Sequence, residues 1–387
     1  MENTPRLYDT LVHVLSQQAT WLDQRHLKTL AWMMVGLIQA GWISLTAWAP
    51  YVVSRAQYAQ STVRRFRRWL DNDKIDVLSL YGPFIQQAVA AWGEQALYVA
   101  LDTSMLWNTS CLVRLSVIYR GRAVPLVWCV LQHGSAQVAF DVYRDLLERA
   151  ALLLPRSCKV VFLADRGFAD TELMAHLQRL GWHWRIRITS SFWLYRPGQR
   201  RCKVERLAVA RGHACFWHRV CITEKRYGPV HLAVAQAWQG QDVWYVLSDE
   251  ATDGKTFEEY GLRFDIEENF LDDKSNGFQL ESSLIRSAQA LTRLCLVLAM
   301  TTLYLVTQGT EVVKQGKRRW VDPHWLRGQS YLKIGWNWIK LALSKGLDLI
   351  TTVHLSSACD PEPAMASKRQ YQHDCQTRFA FVFQDAA

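Results

Sequence analysis

Three observations along the 387-residue chain predict a mixed α/β fold. Residues 1–92 read as helix after helix. From about residue 96, short apolar runs with strand character take over, interleaved with two amphipathic helices. A carboxylate-rich helical stretch then leads into one long apolar helix. At about 150 residues per unit, the length itself suggests two or three units.

The N-terminal region contains "TLAWMMVGLIQAG", a shorter "SLTAWAPYV" ending near Pro50, and then "STVRRFRRWLDN". In the last of these, Ser61 is in position to cap a helix whose Val63, Phe66 and Leu70 share one face. Arg64, Arg65, Arg67 and Arg68 point elsewhere. A helix pair followed by an Arg-rich amphipathic helix is the pattern of a helix-turn-helix DNA reader. A plain surface helix in a bundle is the competing reading. Four arginines in five positions exceed what solubility requires and favour DNA.

Next, "ALYVALDTS" is an apolar strand ending at Asp102, and "CLVRLSVIY" and "AVPLVWCVLQ" form a hairpin around "RGR". "AFDVYRDLLERAALLLP" is an amphipathic helix stopped by Pro155. "CKVVFLADRGF" is a buried strand ending at Asp165 with Gly167 in the turn; "TELMAHLQRLG" is a helix and "WHWRIRITS" a strand. Three meandering strands, helix, strand, helix, strand is the order of a ribonuclease-H-like core. The predicted organisation is therefore an all-helical DNA-binding domain (1–92), a ribonuclease-H-like core (93–189 and 251–310), a mostly β insertion (190–250), and a basic, helical C-terminal region (311–387) whose last 30 residues look loosely structured.

Composition sets bounds on partners. Lys and Arg number 45 against 35 acids, a formal charge of +10, and 18 Trp supply flat rings for packing or stacking. The basic excess favours a polyanionic partner. Nine cysteines without a CxxC read as reduced thiols, and the N-terminus carries no secretory pattern. Residues 29–53 and 294–310 lack charges, but Gly36, Gly41 and Pro50 interrupt the first, and the second is short for a bilayer. The expectation is a cytoplasmic protein with no membrane partner.

The chemistry is concentrated in "YGLRFDIEENFLDDK", residues 260–274. On a continuous helix Tyr260, Arg263, Glu267 and Lys274 would share an arc of roughly 60°. An ordinary Arg263–Glu267 ion pair is the simplest explanation. Glu268, Asp272 and Asp273 would project away and read as solvated. Asp102 and Asp165 end strands expected to be neighbours, so their carboxylates would be close. Like charges held together call for a cation, and a hard ion such as Mg²⁺ suits oxygen donors. A third carboxylate from a later helix would complete a two-ion site for phosphoryl transfer.

The spacing Tyr260-x2-Arg263-x3-Glu267-x6-Lys274, with "LDTS" at Asp102, "DRGF" at Asp165 and a β-rich stretch between, resembles the insertion-sequence-four family of DDE transposases. That resemblance implies that Asp102, Asp165 and Glu267 bind two Mg²⁺ ions, or Mn²⁺ in their place, and carry catalysis. It implies that Tyr260, Arg263 and Lys274 contact phosphates at the transposon end, and that Trp244, in "DVWYVLSDE", stacks on a flipped base. A core Trp is the alternative for that last residue. The implied partner is double-stranded DNA, both transposon ends and target, bound by a homodimer in a synaptic complex in a prokaryotic cytoplasm, nucleoid-associated when bound. A catalytically inactive end-binding descendant and a stand-alone nuclease remain as alternatives. "KQGKRRW" offers Lys317, Arg318 and Arg319 as phosphate contacts or simply as an exposed basic loop. His213, Cys215, His218 and Cys221 invite zinc, but their spacing fits no standard finger.

Overall fold

The computed structural model describes residues 3–18, 21, 23–93, 95–207, 209–236, 242–274 and 277–363; the tail from residue 364 lies outside the described residues. The chain opens with five helices: α1 (Asn3–Gln18), α2 (Gln24–Ala40), α3 (Leu45–Trp48), α4 (Ala59–Leu70) and α5 (Val77–Val89). Asp23 caps α2 by accepting from the Arg25 N–H, and Gly41 ends it in the left-handed region at φ 86°. The chain then turns by 96° into α3 and a short 3₁₀ turn. α4 starts two residues before Ser61, which therefore sits inside the helix and is not its cap. Thr62, Phe66, Trp69 and Leu70 form its buried face.

Behind this region lies a single ten-stranded sheet in the order β3-β2-β1-β4-β5-β10-β9-β8-β6-β7. Its first half comprises β1 (Ala96–Leu106), β2 (Ser110–Tyr119), β3 (Arg122–Leu131), β4 (Lys159–Ala164) and β5 (His183–Arg187), with α6 (Phe140–Leu153) and α7 (Thr171–Arg179) as crossovers. β1, β2 and β3 meander antiparallel, whereas β1–β4 and β4–β5 pair parallel. The second half comprises β6 (Trp193–Tyr195), β7 (Cys202–Lys203), β8 (Ala214–Ile222), β9 (Tyr227–Gln236) and β10 (Val243–Ser248). β10 pairs antiparallel with β5, so residues 190–250 extend the same sheet.

Every residue of β2 is buried, because the sheet is covered on both faces. The remaining helices are α8 (Gly254–Gly261), α9 (Phe264–Asp273), α10 (Ala288–Lys314) and α11 (Tyr331–Lys345). α10 is long and apolar enough to cross a membrane, yet 94% of its apolar window is buried within the protein, where it packs on β3, α2, α5 and α11. Its crossing with α11 is close because two glycines face each other. A Cβ on Gly335 would lie 1.8 Å from the Leu305 carbonyl oxygen, and one on Gly309 would lie 2.0 Å from that of Tyr331.

Neither backbone oxygen can move without breaking its helix. Gly335→Ala is therefore expected to lower the thermal midpoint by several degrees or prevent folding, measured by circular dichroism. An unchanged midpoint would show that the two helices separate freely.

Candidate active site

Asp102 and Asp165 meet because of register. The last paired residues of the parallel β1–β4 ladder are Leu101 and Ala164, so the two aspartates are the next residue on each chain. Asp102 does not end its strand. β1 runs on to Leu106 as a ribbon with β2, and Asp102 stands opposite Arg114. Asp165 caps the short turn Arg166–Phe168, with one carboxylate oxygen accepting from the Gly167 N–H at 2.8 Å. One Asp102 oxygen accepts from the Thr103 N–H at 2.8 Å; the other faces Arg263 Nη1 at 3.4 Å.

Glu267 arrives from the opposite side, and the expected continuous helix is broken here. α8 ends at Gly261, Leu262 and Arg263 form a turn with i→i+3 hydrogen bonds, and α9 starts at Phe264. Arg263 thus lies at the kink, its side chain 7% exposed, donating to Glu267 on one side and Asp102 on the other. Glu267, in the first turn of α9, is favoured by the helix dipole and is half exposed. Tyr260 belongs to α8 and is fully buried, packed edge-on against Trp244 at 5.5 Å. Its hydroxyl and Arg263 Nε are buried without a hydrogen bond of acceptable geometry. Lys274 caps α9 and donates to the Met105 carbonyl, and burial holds its ammonium pKa below the usual lysine value.

Burial pushes the Asp102 carboxyl up to about 6. The Arg263 charge and the Thr103 N–H oppose the rise, while Asp165 and Glu267 add to it. Asp102 therefore senses both of the other carboxylates. The three are not drawn into one tight set. Among the described residues, the group whose ligand atoms all lie within 4.8 Å is His183, Asp249 and Glu250, at the other end of the strands. That group is already neutralised: Glu250 holds Lys159 and Arg185, and Asp249 accepts from the Trp184 N–H. Around Asp102 the cation between the carboxylates is the Arg263 guanidinium. All three groups are hard oxygen donors, the type that suits Mg²⁺ or Mn²⁺, provided Arg263 turns aside.

Two buried arginines, neither anticipated as part of the site, hold the broken helix in place. Arg114, 1% exposed, reaches from β2 to Asn269 at 2.8 Å and Asp273 at 2.6 Å on α9. Arg185, on β5, holds Glu259 of α8 at 2.7 Å, and Tyr98 of β1 donates to the same carboxylate at 3.1 Å. Asp273 is thus buried in an ion pair instead of being solvated. Asp272 and Glu268 also face a cation, Arg122, at 3.0 and 3.6 Å. The signal was present in the sequence as arginines inside two apolar strands, Arg114 in "CLVRLSVIY" and Arg185, with Arg187, in "WHWRIRITS".

The family model for the transposase DDE domain matches residues 110–304, half of the chain. The chain belongs to that family. The matched span includes Asp165 and Glu267 and begins just beyond Asp102. Among solved structures, a piggyBac transposase synaptic complex with hairpin DNA is similar at 11% identity and a TM-score of 0.45, over 100% of this chain and 84% of that one. A likeness this loose carries nothing further. No curated protein matches.

Elsewhere in this transposase, several expected contacts lie differently. Trp244 is 8% exposed on a central strand, with Tyr260, Phe264 and Arg187 against its ring, so it presents no open face for a base. Arg64, Arg67 and Arg68 are exposed on α4 and make no ion pair among the described residues, whereas Arg65 is half-buried beside Phe66. Arg318 is buried and committed to protein acceptors, which leaves Lys317 and Arg319 as the surface cations of that loop. His213, Cys215, His218 and Cys221 are not gathered: His218 faces His231 across the strands, at 3.1 Å between Nδ1 atoms.

Arg114→Met strands Asp273 in the core and is expected to cost about 3–5 kcal/mol in denaturant unfolding, much of it recovered in the Arg114→Met/Asp273→Leu double variant. Equal stabilities for single variant and wild type would remove Arg114 from the account of the site. Asp102 loses its proton near pH 6 when folded but near about pH 4 when unfolded. Its ionisation therefore opposes folding fully above about pH 6 and not at all below about pH 4. Metal-free Asp102→Asn is expected to be more stable than wild type at neutral pH, by on the order of 2 kcal/mol. The gain should fade as pH falls through that window; a variant less stable at neutral pH would contradict it.

Proposed function

We propose that this chain is a cut-and-paste DNA transposase of the insertion-sequence-four type. It binds the terminal inverted repeats of its element, cleaves a phosphodiester at each end, and joins the freed 3′-hydroxyl to target DNA. One observation carries this reading. Asp102 on a strand and Glu267 on a later helix share one guanidinium, with Asp165 at the end of the adjacent strand beside Asp102, in a chain of the transposase DDE family. The finer assignment rests on the spacing of Tyr260, Arg263, Glu267 and Lys274. On this reading the ten-stranded sheet contains a ribonuclease-H-like core (93–189 and 251–310), residues 190–250 are its β insertion, and residues 1–92 are a DNA-binding domain.

Asp102, Asp165 and Glu267 would hold Mg²⁺, or Mn²⁺ in its place. Two such ions, when bound, supply charge to the attacking and leaving oxygens of an in-line displacement. The chain's own residues provide the rest. Arg263, released from the carboxylates, is placed to grip a phosphate, with the Tyr260 hydroxyl beside it and its own Nε as further hydrogen-bonding atoms. Lys274 adds a second cation beyond Glu267. The N-terminus of α9 favours the approach of an anion. Arg64, Arg67 and Arg68 on α4 supply end binding. Function as a homodimer in a synaptic complex, in a prokaryotic cytoplasm and on the nucleoid, belongs to the same proposal.

One observation favours a second reading, an inactive end-binding descendant: Arg263 fills the space between Asp102 and Glu267. The two are separated by Mg²⁺-dependent cleavage of a labelled duplex carrying the element's end, with wild type and Glu267→Gln. The transposase reading expects wild type to cut at the repeat boundary and the variant to bind but lose cleavage by about 10³-fold or more. Binding without cleavage by both supports the inactive descendant. Equal cleavage by both removes Glu267 from the chemistry.

A further inference from the structure

The loop between α10 and α11, residues 315–330, is built inside out. Three of its charged groups, Arg318, Asp322 and Arg327, point inward. Arg318, 4% exposed, donates to Asp322 Oδ2 at 3.2 Å, to Glu362, and to the carbonyls of His324 and Trp325 at 2.9 Å each. Asp322 has no solvent exposure, and it also accepts from the N–H groups of His324 and Gly328, at 3.2 and 3.0 Å. Arg327, 4% exposed, donates to the Gln329 carbonyl at 2.9 Å and to Asp360 at 3.2 Å. A Cβ on Gly328 would lie 2.5 Å from the His324 ring, so a larger residue there would have to displace that half-exposed side chain.

The large apolar side chains of this loop are left in water. Trp325 is 78% exposed, Trp320 56% and Leu326 51%. An indole left in water costs about 1.5–3 kcal/mol relative to burial, and here the loop's own polar groups take the interior. The Arg319 guanidinium lies 4.6 Å from the centre of the Trp325 ring, and Trp320 leans on Trp338 at 6.1 Å. Lys317 sits 5.6 Å from the Trp338 ring. Between residues 312 and 347 the sole carboxylate is Asp322, which is fully buried, whereas Lys314, Arg319, Lys333, Lys340 and Lys345 are exposed. Flat rings among cations, with the neighbouring Glu362 and Asp360 already engaged by Arg318 and Arg327, complement a strand that carries both phosphates and unpaired bases.

From this we infer that the loop 315–330 is a second DNA-contacting surface, on which Trp325 and Trp320 stack bases of an unpaired strand while Arg319, Lys317 and Lys333 hold its phosphates. The inference rests on the chain being a DNA-acting transposase but does not use the carboxylate site. A base cannot stack on an exposed indole while it is paired within a duplex, so the surface selects unpaired or distorted DNA. The buried Arg318 and Arg327 fix the loop backbone that carries the rings before the strand arrives, which reduces the ordering cost of binding.

The test is fluorescence anisotropy in EDTA, where no cutting occurs, with a labelled oligothymidylate of about 20 nucleotides and a fully paired duplex of similar length. Trp325→Ala is expected to weaken single-strand binding about tenfold and duplex binding less than about twofold, with Trp325→Phe retaining most of the affinity. Arg319→Gln should weaken both and flatten the salt dependence. Equal single-strand affinity for wild type and Trp325→Ala, with the duplex still bound and cut in Mg²⁺, overturns this surface and leaves the proposed function standing. Unchanged DNA binding with a loss of self-association in sedimentation also overturns it, assigning the rings to a second copy of the chain.

Discussion

The site depends on two guanidiniums buried at the sheet. Arg114 on β2 seizes Asp273 and Asn269 of α9, and Arg185 on β5 seizes Glu259 of α8. A buried ion pair gives little net stability over a well-packed apolar pair, because desolvation offsets attraction. Its asymmetry is what matters. A helix seated one turn out of place would part Arg114 from Asp273, at several kcal/mol, and Arg185 from Glu259, although Arg185 would keep Glu250, so the seating of α9 is the more strictly fixed of the two. The kink between the two halves, where Arg263 stands, follows from those two seatings.

That kink explains the electrostatics. Asp102 is pulled out of water beside Asp165 and Glu267, which drives its proton affinity up. Arg263, placed between Asp102 and Glu267, supplies the cation that this crowding requires. On the proposed reading the same guanidinium is the group that meets a phosphate. Binding of metal and binding of DNA would therefore be coupled through one side chain, since whatever neutralises the carboxylates frees Arg263. The strain of like charges and the freedom of the arginine are two sides of one arrangement.

Much of the rest of the chain serves to keep these parts rigid. The long α10, apolar enough for a bilayer, is the central support beneath β3, and its glycine contact with α11 ties the C-terminal region to the core. Trp244 and Tyr260 belong to a small cluster with Phe257 under α8, separate from the main core. A tryptophan in a central strand is more useful there as packing than as a stacking face, because both neighbouring strands and the covering helix shield it.

The family resemblance named Glu267 as a further carboxylate of the site; the sequence by itself determined the order of strands and helices and the neighbouring positions of Asp102 and Asp165. These follow from local periodicity and from strand order, which one-dimensional patterns carry well. Tertiary structure alone decided what each charge faces. Helical spacing put Tyr260, Arg263, Glu267 and Lys274 on one stripe, but a turn at Leu262 and Arg263 divided them, since α8 and α9 answer to different buried partners. Asp273 read as solvated and became a core ion pair; Arg318 read as a surface cation and became the centre of a loop. Charge is written in the sequence, whereas burial depends on residues about 160 positions away, as between Arg114 and Asp273, and no local pattern encodes that distance.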